Sequence, residues 1–328
     1  MNENRYVYVS ARIRVLEGRL LSEEDFGQLE AASFRQCLRL LAGRGWEPGR
    51  HGADVEGMLG REREKMRRVF QSLGEVREDF RILRIPGEFQ RAKAAVKEDF
   101  CGMKPPQGEQ KDRVWPEDPF MTERVWWRRE FPAAVRSQAY DRLPRGMGEA
   151  VRQARRSLWE QRDGQLCEII LDRAALEEIR REGEHSHIPA VRHYARMRVE
   201  NADIQIALRG MAAGWKLERF RQALAAAGEL DPERMARAAA AGSRALETYL
   251  ENAGFGEAAE AFGESGAGLE LWQRERERRL IGQARRDVFF GGLILAYFLQ
   301  RRREIRLVRE MLVEKRGEGS EGGERMRA

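Results

Sequence analysis

Apolar residues recur every three to four positions through most of the chain, with charged residues between them. That period is helical. The run VYVSARIRVLEGRL predicts a helix from about Val7. Ser22 with Asp25 three residues on is a capping-box-like start, with Asp in place of the usual Glu. It opens a predicted helix through EEDFGQLEAASFRQCLRLLAG to Gly43. Gly49 to Gly57 reads as a loop. MLGREREKMRRVFQSLGEVREDFRIL and GEFQRAKAAVKEDF (Gly87 to Phe100) read as helices. Met103 to Pro119 holds four prolines and little apolar pattern, so it reads as a linker. Further helices are predicted in WWRREFPAAVRSQAYD and in LPRGMGEAVRQARRSLWEQRD, with Pro144 at an early helical position. LCEIILDRAALEEIRREG and HIPAVRHYARMRVENADIQIALRGMAAGW follow in the same period. Asp231, Pro232 and Glu233 supply a cap, a first-turn proline and an acid at the positive end of the next helix. AGFGEAAEAFGESGAG reads as a broken helix or loop. The last helical region spans about Leu269 to Lys315, in two pieces divided near Gly291 and Gly292. From Gly317 the tail reads as disordered. Runs alternating with period two are nearly absent, so no sheet is expected. The fold class is all-α.

The segment VFFGGLILAYFLQRRREIRLVREMLVEKR is the most apolar part of the chain and leads into a very cationic one. That order resembles a membrane span with a basic stop signal. Its apolar part, Val288 to Leu299, has only 12 residues, against the roughly 20 that a spanning helix needs. No transmembrane helix is expected. The first residues lack an apolar signal core, so export is not expected.

Composition adds less. Of 328 residues, 42% are hydrophobic and 35% charged, enough of the first for a core. The net charge of +6 permits nucleic acid, an anionic membrane surface or an acidic protein as partner. Arginine outnumbers lysine, and both are dispersed beside glutamates. That dispersal favours solvated helix faces over a nucleic-acid surface, and an Arg-rich helical nucleic-acid-binding protein is the alternative reading. Cys37, Cys101 and Cys167 are odd in number and widely spaced, which reads as a reducing compartment. Cys37 and Cys167 lie in amphipathic runs and are expected in the core.

Three helices share a pattern: Glu88 with Lys93, Glu200 with Gln205, and Glu304 with Arg309. Each has a glutamate, an apolar residue four later, a long polar residue five later and an apolar residue eight later. The glutamates are 112 and 104 residues apart. Apolar positions at i+4 and i+8 share one helix face. Any amphipathic helix offers such spacing, and the near-equal intervals are what raise it above coincidence. It suggests three similar helical subdomains, at 1–112, 113–225 and 226–316, followed by a tail at 317–328.

At these residues the sequence resembles the C subunit of bacterial and archaeal V/A-type rotary ATPases, the counterpart of the d subunit of eukaryotic V-ATPases. YVYVSARIRVLEGRLLSEEDFGQL is similar to the family's opening helix pair. ILRIPGEFQRAKAAVK, DRLPRGMGEAVRQARRSLWEQRDGQLCEIILDRAAL, VRHYARMRVENADIQIALRG and YFLQRRREIRLVREMLVEKRGEG resemble later segments, in the expected order. The chain departs from the pattern where the family tends to place Asn, at Arg91, Asp203 and Leu307, and Gln205 replaces a basic residue. The resemblance implies a funnel-shaped helical protein of three similar subdomains in pseudo-threefold arrangement. It implies a non-catalytic central-stalk rotor component at the cytoplasmic face of the membrane. Its partners would be the D and F shaft subunits and the proteolipid (c/K/L) ring, with the membrane reached only through the ring and no direct nucleic-acid contact. No cofactor is implied.

Other chemistry is thinly represented. Glu184, His185, Ser186, His187 and, further on, His193 form the one metal-like group, and their spacing fits no common ligand signature. They read as a solvated loop, and no metal ligand is assigned. GFGEAAEAFG follows no strand, which excludes a dinucleotide loop. Glu168 and Asp172, one turn apart, read as surface charge rather than an acid/base pair. Trp126 and Trp127 beside Arg128 and Arg129 could stack bases, and packing is the favoured role. No catalytic residue is assigned.

Overall fold

The computed structural model describes residues 4–47, 54–102, 118–121, 126–144, 146–225, 228, 230–264, 266–287 and 291–325. Among them every regular element is helical. In chain order these are α1 (Asn4–Glu17), α2 (Glu23–Ala31), α3 (Phe34–Gly43), α4 (Val55–Gln71) and α5 (Ile85–Phe100). Next come α6 (Phe131–Arg136), α7 (Met147–Gln161), α8 (Gly164–His185), α9 (Pro189–Ala212) and α10 (Leu217–Ala223). The last are α11 (Pro232–Ala241), α12 (Ser243–Asn252), α13 (Gly256–Glu264), α14 (Gly266–Ala284) and α15 (Gly292–Arg325).

Helix ends follow side-chain capping. The Ser22 hydroxyl accepts from the Asp25 N–H at 3.1 Å, and the Asp25 carboxylate accepts from the Ser22 N–H at 2.8 Å. The expected single helix to Gly43 is two. Ala32 is extended (φ −86°, ψ 150°), and the Gln36 side chain then accepts from the Ser33 N–H at 2.8 Å. A second start signal, here Ser-x-x-Gln, thus lies inside the apolar period. Helix α4 begins inside the expected loop because Asp54 caps it, accepting from the Gly57 N–H at 2.9 Å. It stops at Gln71, short of the expected run to Leu83. Gly74 turns left-handed (φ 61°) and residues 74–83 continue as 3-10 turns. Pro144 lies before its helix rather than within it, since left-handed Gly146 (φ 82°) separates it from α7. The Asp231 cap and Pro232 start of α11 form as expected, with Asp231 accepting from the Arg234 N–H at 2.7 Å. The broken segment near Gly254 resolves into α13 and the start of α14. At the C-terminus α15 continues as helix to Arg325, through the segment expected to be disordered. Extending a helix already formed fixes one residue per added bond, far less costly than nucleating a new one.

Packing divides the chain into two compact units. The first comprises Met1–Arg77, Glu117–Thr122 and Ile281–Ala328, so α15 returns to α1, α3 and α4. Its centre is a triangle of Phe70, Phe120 and Phe298, with ring centroids 5.1, 5.4 and 5.7 Å apart and edge-to-face geometry. Leu293 through Leu299 are all buried around it. No helix among the described residues is long and apolar enough to cross a membrane. The apolar stretch that resembles an anchor is a core element from Gly291 onward, and its residues 288–290 lie outside the described ones.

The second unit comprises Glu78–Pro116 and Glu123–Leu280. Helices α5, α7, α8 and α9 pack side by side. A further core joins the C-terminal half of α9 to the short helices after it, through Ile204, Leu208, Phe220, Met235, Leu246 and Leu250. Trp127 is buried against Phe131 with centroids 4.8 Å apart, and Trp126 packs on both, so this pair serves packing. Cys37 and Cys167 are buried, and Cys101 is exposed. Burial pushes the Cys167 thiol up to about 11. The expected linker lies outside the described residues up to Glu117.

Candidate functional site

The three patterned helices are α5, α9 and α15. Their apolar positions point inward in every case. Ala92, Ile204 and Val308 at i+4, and Val96, Leu208 and Leu312 at i+8, are all buried. A glutamate one turn before that stripe must then share its face. Glu88, Glu200 and Glu304 are buried at 6%, 4% and 3% exposure. A buried carboxylate needs a cation or hydrogen-bond donors, and each finds them from a different place.

Glu88 lies 3.7 Å from the guanidinium of Arg81 and 3.9 Å from that of Arg84, both from the turns preceding its own helix. Arg81 also holds buried Glu178 at 2.6 Å and Glu182 at 3.0 Å, which ties these turns to α8. Glu200 accepts from Arg276 of α14 at 2.6 Å, and the same guanidinium donates to the Asn201 side chain. Gly228 sits against this pair. A Cβ there would stand 2.2 Å from the Glu200 carboxylate, and its φ of 61° favours glycine.

Glu304 accepts from Arg301 at 2.7 Å and from the Leu21 N–H at 3.1 Å. Arg301 also donates to Glu62 of α4, which is 1% exposed, and stacks over the Trp46 ring at 5.0 Å. Lys65 reaches Glu62 from the surface at 2.8 Å. Two buried carboxylates therefore share one buried guanidinium, whose forked donors suit that task. Burial pushes the Glu304 carboxyl above its ordinary range, against the lowering effect of Arg301.

The polar positions at i+5 are less alike. Lys93 of α5 pairs with Asp172 of α8, Gln205 is half-buried, and Arg309 bonds exposed Glu56 at 3.0 Å. Glu168 pairs with Lys97 one turn along, so Glu168 and Asp172 form a two-rung ladder between α5 and α8. Sequence spacing places those carboxylates on one face, and only the packing supplies their lysines.

At i+3, Arg91 donates to the Trp127 carbonyl at 3.0 Å, whereas Asp203 accepts from the Ala225 N–H at 3.0 Å. An asparagine could make either bond, because its amide both donates and accepts. The two departures from the resembled pattern each retain one half of that capacity and use it to hold a following backbone segment. Leu307 is half-buried and carries neither.

Many arginines pair with a glutamate one turn away, as Arg156 with Glu160, Arg180 with Glu184 and Arg278 with Glu275. Such faces are charge-balanced, which weakens the case for a nucleic-acid track. His185 ends α8, its ring 2.7 Å from the Arg181 carbonyl. Among the described residues no three of His, Cys, Asp and Glu are placed to hold a metal ion.

This site is thus a set of helix-locking acids on a pattern spread over nearly the whole chain. The family model for the ATP synthase (C/AC39) subunit matches residues 9–316. The chain belongs to that family. No curated protein sequence matches it. A C/AC39 subunit is part of a V/A-type rotary ATPase, a membrane-associated complex, and this chain is all-helical.

Proposed function

We propose that this C/AC39 protein is the central-stalk rotor component of its complex. It is a socket that couples the D–F shaft to the proteolipid ring at the cytoplasmic face of the membrane, in ATP-linked proton or sodium transport. The reading includes three similar subdomains in pseudo-threefold arrangement and no catalysis by the chain itself. The family match carries the reading, and the three buried glutamates support its repeated plan. A torque-bearing spacer needs helices that resist sliding. Buried Glu–Arg pairs do this because moving a helix leaves a charge unpaired in a medium of low polarity.

Purified chain mixed with purified D–F shaft tests the reading. Co-elution from a sizing column as one stoichiometric complex is expected. Separate elution of the chain and the shaft would remove the shaft-socket role.

A further inference from the structure

Helix α1 buries one face and presents another. Tyr6, Ser10 and Ile13, at i, i+4 and i+7, are buried, and the helix packs against α15. The opposite face carries Val7, Tyr8, Ala11 and Val15, all exposed. Tyr8 is 78% exposed and Val15 66%. Six large apolar side chains are exposed among the described residues, and α1 holds three of them. Single exposed apolar residues are ordinary, whereas three on one face of one helix mark a contact surface.

Their spacing narrows what the surface contacts. Tyr8, Ala11 and Val15 stand at i, i+3 and i+7, and Gly18 continues the series in the turn after α1. This three-and-four step is a coiled-coil seam, with Tyr8 and Val15 at a positions and Ala11 at d. The e and g positions flank such a seam. Arg12 and Arg19 fall at e, Val7 and Arg14 at g, and all three arginines are exposed. The one acid of α1 is Glu17. Arg12 donates to the neutral Ser72 hydroxyl at 2.7 Å. Arg14 pairs with Glu17 at 2.8 Å, but that carboxylate side chain is only 6% exposed and also holds Arg285 at 3.0 Å. One nearly buried carboxylate thus serves two arginines, and the flanks of the seam are cationic.

Charge and shape select the occupant. A second copy of the chain would set arginine against arginine in either orientation, which disfavours self-pairing. Helices that lie in a lipid surface bed bulky Trp, Phe or Leu side chains. Here the stripe is narrow, with alanine at its centre, and a narrow a/d stripe is the form that fits another helix. The 14 residues of α1 run about 21 Å, enough for two heptads. Its own folding is already settled by α15, so an incoming helix alone loses freedom on binding.

We propose that the outward face of α1 is a coiled-coil seam for a partner helix with an apolar stripe flanked on both sides by glutamate or aspartate. Tyr8 and Val15 supply the knobs, and Ala11 lets the two backbones approach closely. Arg12, Arg14 and Arg19 choose the acidic partner and fix its register.

Titration of the full chain with a synthetic helical peptide of about four heptads tests this. The peptide has leucine at a and d and glutamate at e and g; its control has lysine at e and g. One acidic peptide per chain is expected, and no binding of the lysine peptide. Tyr8→Ser with Val15→Ser leaves all charges in place and should weaken binding by about tenfold or more, since two apolar knobs are lost. Arg12→Glu with Arg19→Glu should reverse the preference toward the lysine peptide. Both variants alter exposed side chains and should keep the parent's melting temperature. Leu271→Ser, at an exposed apolar site on α14, should bind as the parent does. Binding of neither peptide overturns the proposal, as does acidic-peptide binding that the serine pair leaves unchanged. Self-association in sedimentation equilibrium that the serine pair abolishes would overturn it in favour of a second copy. Co-sedimentation with phosphatidylcholine–phosphatidylglycerol vesicles, without peptide binding, would overturn it in favour of lipid. The titration contains no shaft or ring, so its outcome stands apart from that of the rotor reading.

Discussion

Arg301 joins α15 to α4 where both carboxylates it holds are almost wholly dry. Lys93 and Lys97 join α5 to α8 where the carboxylate side chains of Asp172 and Glu168 are 51% and 48% exposed. Both contacts are ion pairs between helices, and their consequences differ because water reaches only one. At the exposed ladder, solvent takes over when a partner is lost, and such a pair contributes little. At Arg301, loss of the cation takes the shared guanidinium from two carboxylates that solvent hardly reaches, Glu62 keeping Lys65 and Glu304 keeping the Leu21 N–H. An ion pair in this protein therefore locks a helix only where the apolar stripe has already excluded water.

The largest expected effect is at the dry centre. Arg301→Met should lower stability by about 3–5 kcal/mol in urea unfolding, the range for breaking a buried pair from one side. A loss under about 1 kcal/mol, within the range of surface pairs, would erase the contrast with the ladder. Gly228→Ala comes next. The left-handed backbone and the nearness of Glu200 make a cost of about 1–3 kcal/mol the expectation. A neutral Gly228→Ala would show that Glu200 can leave its place freely.

The two regions should also titrate with opposite signs. Burial raises the Glu304 carboxyl above the ordinary 4.5, whereas the Lys97 hydrogen bond lowers that of Glu168. Glu304 thus adds stability that is complete below about pH 4.5 and is lost as pH rises through its folded value. Glu168 adds stability present above about pH 4.5 and lost as pH falls through its folded value. Carboxyl NMR titrations should place the two on opposite sides of 4.5, and the reverse order would contradict the assignment. The smallest effect is at the ladder itself. Lys97→Ala should cost less than about 1 kcal/mol and less still at high salt.

Much of this was legible in the sequence, for local reasons. The 3.6-residue period marks the helices, Ser22 and Asp231 mark starts, and the glutamate pattern names three acids that share a buried face. The Ser33 start was readable as a Ser-x-x-Gln capping box and was hidden by the apolar period running through it. The return of α15 to α1, α3 and α4 depends on contacts more than two hundred residues apart, which no spacing rule carries. The partner of Glu200 was illegible for the same reason, whereas Glu88 and Glu304 have arginines close by in sequence, at Arg81, Arg84 and Arg301. Arg276 lies 76 residues from Glu200, and Arg301 reaches Glu62 across 239. The pattern identifies the charges that must be neutralised, and for Glu200 only the packing selects the cation.

The rotor assignment is the central claim, and native mass spectrometry of the complex purified from membranes through a tag on this chain tests it most directly. One copy of the chain per complex is predicted, retained with the D–F shaft and the proteolipid ring when the peripheral catalytic sector is stripped away. Release of the chain with that catalytic sector, or several copies per complex, would contradict it.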